Sequence, residues 1–134
     1  MNKQALAVLC IFVAWTVINY VMHGMLLFED YQETSNLWRP MLEMNMGLSY
    51  AVTLVGSLVF VLIYDRFFAE KSKSTALQYG FLFGLTAGMS MGFGSYAVMP
   101  IPFSMALVWF LGTVIAAIIG GMFLALVIGD EERV

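Results

Sequence analysis

Charge is scarce in this chain. Only 11% of its 134 residues are Asp, Glu, Lys or Arg, against 61% hydrophobic, and a soluble domain of this length could not cover its surface with so few polar groups. Lipid-facing helices carry no such requirement, because the bilayer core is itself apolar. Cysteine occurs once, at Cys10, which excludes an intramolecular disulfide and any multi-cysteine metal site. Within an apolar run it reads as a small buried residue. Six basic residues face nine acidic ones, a net charge of -3, so there is no electrostatic footprint for nucleic acid and none is expected as a partner. No HExxH signature, Gly-rich phosphate loop or nucleophile motif is present. From Met44 to Tyr64 and from Ser74 to Gly129 there is no Asp, Glu, Lys, Arg or His. That disfavours a proton-coupled carrier, which generally places a carboxylate within the membrane.

What is present is long apolar runs. A helix needs about 20 residues to cross the roughly 30 Å hydrocarbon layer. Ala5–Phe28 and Met44–Tyr64 each suffice, and Ser74–Gly129 is too long for one crossing. Met99-Pro100-Ile101-Pro102 breaks that last run, since two prolines deny backbone donors and force a turn. The fold expected is all-α: one polytopic membrane domain of four transmembrane helices in a small bundle, with spans at about 5–28, 41–65, 75–98 and 103–128 and an outer loop at 29–40. The first run follows Lys3 as a signal peptide might be placed, but it is longer than a signal core and no Ala-x-Ala-like site closes it, so a retained span is expected. Lys3, Arg66, Lys71, Lys73 and Arg133 fall on one side of the four spans and Arg39 alone on the other. The positive-inside rule then makes both termini cytoplasmic, as in a bacterial inner membrane. Aromatic belts are expected from Tyr31, Trp38, Tyr96 and Trp109 at the outer interface and from Tyr64, Phe67, Phe68 and Tyr79 at the inner one.

Small residues recur in the last two spans. Gly80, Gly84, Gly88 and Gly92 stand four apart, on one slowly drifting helix face. Gly112, Ala116 and Gly120 form a similar row in span four, with Ala117, Gly121 and Ala125 beside it. Such rows let helix backbones approach closely. Packing of span three on span four is the simplest expectation, with self-association of either as the alternative.

The polar interruption from Asn19 to Met46 holds His23, the only histidine, together with Met22, Met25, Met41, Met44 and Met46. At helical spacing Thr16, Asn19, Tyr20, His23 and Asp30 share a face, and His23 falls about 7–8 Å inside Phe28. An ionisable residue within a span is a functional candidate by default. Its plainer reading is a neutral imidazole bonded to Asn19, Asp30 or a loop carbonyl, fastening the loop to the bundle. Asp30-Tyr-Gln-Glu33 has capping-box spacing and Pro40 suits a first helical turn, so span two is expected to start near Pro40. Leu37, Met41, Met44 and Leu48 then form an amphipathic stripe along the interface. Thioethers with imidazole suit Cu(I), and His23, Met44 and Met46 form a candidate soft-metal set. Methionine is also an ordinary gap-filler in helix packing. An enzyme acting on a lipid headgroup would use His23 as acid or base, oriented by Glu29, Asp30 or Glu43, with Arg39 holding an anionic group.

His23-Gly24, Leu26-Leu27, Tyr31-x-x-Thr34 and Leu37-Trp38-Arg39-Pro40 resemble a pattern in small bacterial membrane proteins of unknown function with four predicted spans. The resemblance implies the same architecture and transfers no catalytic residue. The function expected is non-enzymatic: an accessory, assembly or stabilising subunit, among membrane lipids, whose outer loop meets other membrane subunits or a second copy. His23, Tyr31, Trp38 and Arg39 shape that surface in this reading.

Overall fold

The computed structural model describes residues 2–129, and among them there is helix, turn and linker but no strand. Helix α1 spans Lys3–Leu26, α2 is the short Phe28–Glu33, α3 spans Met46–Phe67, α4 spans Lys73–Val98 and α5 spans Phe103–Val127. The four long helices are long and apolar enough to cross a membrane, and the chain is a small all-helical membrane bundle. Side chains such as Leu9, Val13 and Val17 on α1 and Leu111, Ile115 and Met122 on α5 are exposed, as lipid-facing positions should be.

The helices run up and down. Gly80 faces Ala117, Gly88 faces Phe110 and Gly92 faces Ala106, so α4 and α5 are antiparallel and form the most extensive helix pair. A Cβ at Gly80 would lie 2.5 Å from the Ala117 carbonyl oxygen, one at Gly92 2.5 Å from the Ala106 oxygen, and one at Gly121 2.5 Å from the Ala76 oxygen. Backbone meets backbone there, and only hydrogen fits. Gly112 and Gly120 belong to another contact. A Cβ at Gly112 would overlap the Met22 thioether of α1, and one at Gly120 would crowd Phe60 at 3.0 Å and Trp15 at 3.3 Å. The gap at Gly120 admits the Trp15 indole, whose Nε1 donates to the Ala116 carbonyl at 2.7 Å. Helix α5 therefore carries two small-residue faces, one for α4 and one for α1. The row Gly112–Ala116–Gly120 faces α1, with Phe60 of α3 also reaching Gly120, and is not the partner of the α4 glycines.

Two ends can be distinguished. The terminal end contains the start of α1, the α3–α4 turn and the end of α5. Its core is Ala7, Ile11, Phe60, Val61, Tyr64, Ala76, Tyr79 and Leu124. The loop end contains residues 20–45 and the 99–102 turn, with a separate core of Met22, Leu27, Ile101, Met105, Ala106 and Trp109. Lys3, Arg66, Lys71 and Lys73 lie at the terminal end and Arg39 at the loop end; Arg133 lies outside the described residues.

Several boundaries depart from expectation. Helix α1 is α-helical only to Asn19 and continues as a π-helix over Tyr20–Leu26, so the α-helical spacing that sets His23 on a face with Thr16, Asn19 and Tyr20 does not apply beyond Asn19. A second π segment, Ser90–Gly94, sits at the loop end of α4. Asp30 and Glu33 are inside and at the end of α2 and do not start a helix. Helix α3 starts at Met46, where the Asn45 side chain accepts from Leu48 N at 2.9 Å. Pro40 instead precedes a single 3₁₀ turn, Met41–Glu43, because an isolated cap competes poorly with a stronger one five residues on. No continuous amphipathic stripe joins Leu37 to Leu48. Of the aromatics expected at the interfaces, Tyr64, Tyr79 and Trp109 are buried within the bundle, while Phe67 and Tyr96 are exposed.

Candidate functional site

The chemistry-bearing residues of the polar interruption gather at the loop end. After the turn at Leu27, which is buried, α2 folds back over the bundle and brings Tyr31 to α1 and α5. The Tyr31 hydroxyl lies 2.6 Å from His23 Nδ1 and accepts from the Trp109 indole at 3.2 Å. Trp38 packs edge-on against Tyr31, with ring centroids 5.3 Å apart, and against Trp109 at 6.1 Å. Its own indole donates to Thr34 Oγ1 at 2.8 Å, and Thr34 donates in turn to the Asp30 carbonyl at 2.6 Å. Ser104, in the first turn of α5, donates to the Asp30 carboxylate at 3.0 Å. A carboxylate at that place also faces the positive end of α5. The short α2 is thereby tied to the bundle at Tyr31, Thr34 and Asp30.

Burial pushes the Tyr31 phenol above its usual range; the Trp109 hydrogen bond opposes that shift and the Asp30 charge adds to it. Tyr31 is therefore a protonated phenol at neutral pH, able to donate once and accept.

His23 is fastened as the plainer reading expected, but by the Tyr31 hydroxyl and not by Asn19, Asp30 or a carbonyl. Asp30 is engaged by Ser104, and no carboxylate contacts the imidazole among the described residues, so the acid–base arrangement of the enzyme reading is not formed around it. Arg39 is exposed, outside the cluster. Met44 and Met46 are exposed on the linker and the first turn of α3, also outside the buried cluster. Among the described residues no group of three or more His, Cys, Asp or Glu gathers as a metal site. Of the residues proposed to shape one surface, His23, Tyr31 and Trp38 come together and Arg39 does not join them. Trp109 and Ser104 were not singled out as their partners. They lie beyond residue 100, and no local spacing relates them to residue 23 or 30.

A second feature lies beside this cluster. From Arg39 to Asn45 every residue is exposed, and from Met46 to Val55 all are exposed except the half-buried Thr53. Helical residues point to all sides within two turns, so the loop-end half of α3 buries no face against the bundle, and Leu54 only edges a shallow groove shared with Ala5, Val8 and Leu9 of α1. Burial begins at Ser57, past the contact of Gly56 with Trp15.

No protein family, no curated protein and no solved structure matches the chain.

Proposed function

We propose that this chain is a non-enzymatic accessory subunit of a larger membrane assembly, and that residues 39–55 are its contact surface for another membrane subunit. One observation carries this reading: the loop-end half of α3 buries no side chain from Met46 to Val55, whereas the other three spans each bury a face along the bundle. Lipid can cover an apolar face. It gives a span no reason to leave its neighbours, and van der Waals contact between helices favours closing such a gap. The linker before α3 adds Met41 and the fully exposed Leu42, apolar side chains of a kind that favour burial against a partner. Tyr31 and Trp38, expected to lie on the presented surface, instead hold α2 in place and leave 39–55 as what is presented.

In this reading the protein sits in a bacterial inner membrane with cytoplasmic termini. The distribution of Lys3, Arg66, Lys71 and Lys73 against Arg39 supports that orientation.

Purification of the tagged chain in a mild detergent tests the proposal. A second polypeptide at fixed stoichiometry, released by Val52→Trp without loss of the folded bundle, is the expected result. A homogeneous species containing only this chain, from membranes in which it is native, would overturn it.

A further inference from the structure

Two nitrogen atoms converge on one oxygen at the loop end, and together they fix a proton. The Trp109 indole can only donate, and it gives its hydrogen to Tyr31 Oη over 3.2 Å. The phenol has one proton of its own, and the remaining polar neighbour of Oη is His23 Nδ1, at 2.6 Å. Donation of that proton to Nδ1 is the arrangement that uses the phenol hydrogen, and it places the imidazole proton on Nε2. His23 makes no other hydrogen bond within the described residues. Every buried side-chain nitrogen and oxygen among them has a partner, so the unpartnered Nε2 keeps accessible surface. The relay runs one way, from Trp109 through Tyr31 to His23, and ends on an open N–H. That donor stands three residues inside Leu26, the end of α1. Tyr31 and Trp109 wall the imidazole, with ring centroids 5.9 and 6.4 Å away.

An N–H held at the edge of hydrocarbon needs an acceptor, because burying it unpaired is costly. The charges present select its kind. Asp30 is close enough for its charge to act on Tyr31, and Arg39, the only Lys or Arg between residues 20 and 45, is outside the cluster. An anionic phosphate would meet a carboxylate and no cation, whereas a neutral carbonyl meets no such penalty. The geometry points to His23 Nε2–H as the donor of a binding site for the carbonyl oxygen of a membrane-dissolved amphiphile, either the acyl ester of a lipid or the carbonyl of a quinone. The site is built from α1, α2 and α5 and does not rest on the partner surface at 39–55; either can fail alone.

His23 is the only histidine, so ring-15N histidine labelling of the full chain gives one imidazole spectrum. The protein is placed in nanodiscs of ester-linked phosphatidylglycerol, in nanodiscs of the ether-linked analogue that lacks carbonyls, and in the latter with added decylubiquinone. The Nε2–H tautomer is expected in all three. A displacement of the Nε2 resonance in ester against ether lipid identifies a lipid carbonyl. A saturable displacement on adding the quinone identifies the quinone. Identical Nε2 resonances in all three discs would mean that the donor is satisfied by water, and the proposal would fail. A proton on Nδ1 would also overturn it, by reversing the relay. Tyr31→Phe is expected to mix the tautomers and abolish the displacement, and should this variant not fold, the three discs of unaltered protein still decide.

Discussion

The two ends of the bundle are built on different physics. At the terminal end aromatic rings stack: Phe60 on Tyr79 at 4.6 Å, Tyr64 on Phe68 at 5.4 Å and Tyr64 on Tyr79 at 5.8 Å. Polar groups there close helix ends. Lys71 Nζ donates to the carbonyls of Tyr64, Asp65 and Phe68 at 3.1, 2.6 and 2.8 Å, capping the C-terminus of α3 where a cation is favoured. Ser72 then caps α4 by accepting from Thr75 N at 3.1 Å. At the loop end a chain of directional bonds runs from Trp109 to His23 and from Trp38 to Asp30, beside two π segments. The first end holds the helices together, and its Lys71 and Ser72 side chains cap helix ends. The second holds a short helix in place, and its relay ends on an unpartnered ring nitrogen.

The comparison can be broken at four points. Effects of up to about 3 kcal/mol are expected along the α4–α5 seam, which runs through both ends. Gly80→Ala puts a methyl against a backbone oxygen and should cost about 1–3 kcal/mol. Gly94→Ala meets nothing closer than 3.6 Å and should be neutral or gain about 0.5–1 kcal/mol from reduced chain entropy. Reversible unfolding in detergent separates the two. Next, Tyr31→Phe strands both the Trp109 indole and His23 Nδ1 and should cost about 2–3 kcal/mol. Tyr79→Phe removes one bond, to the Phe60 carbonyl at 2.9 Å, and should cost about 1 kcal/mol. Equal losses in the pair would erase the distinction between the ends. Lys71→Met should lower stability by about 1 kcal/mol while leaving the His23 imidazole spectrum unchanged, and a changed spectrum would show that the ends are coupled.

The smallest effect concerns pH. Tyr31 has a raised phenol pKa in the folded protein, so its contribution is fully present below the unfolded value of 10.0. It is lost as pH rises through the folded one. Unaltered protein should therefore lose stability more steeply than Tyr31→Phe as pH rises from 10.0 towards the folded value, as followed by alkaline unfolding monitored through tryptophan fluorescence. Parallel curves would remove Tyr31 from the account.

The four spans and the break at Pro100-Ile101-Pro102 were legible because membrane crossing is written in length and absence of charge. The spacing of Gly80, Gly84, Gly88 and Gly92 was legible for the same kind of reason, being local and periodic. The assignment of Gly112 and Gly120 to α1 was not, since a small-residue row announces close approach without naming the helix that approaches. The turn to π-helix after Asn19 hid which residues share a face with His23. Tyr31 appeared as a loop aromatic because nothing in sequence shows that α2 folds back to reach Trp109, 78 positions away. Tyr64, Tyr79 and Trp109 are core because their neighbours lie on other helices, which no local spacing shows.

The central claim is that residues 39–55 face another protein and not lipid alone. A photo-crosslinking amino acid placed at Leu48 or Val52 and, as a control, at the lipid-facing Ile115 tests it in native membranes. The account predicts one protein adduct of discrete size from Leu48 and Val52, and none from Ile115. Lipid adducts alone from all three positions, in a chain that is folded, would contradict it.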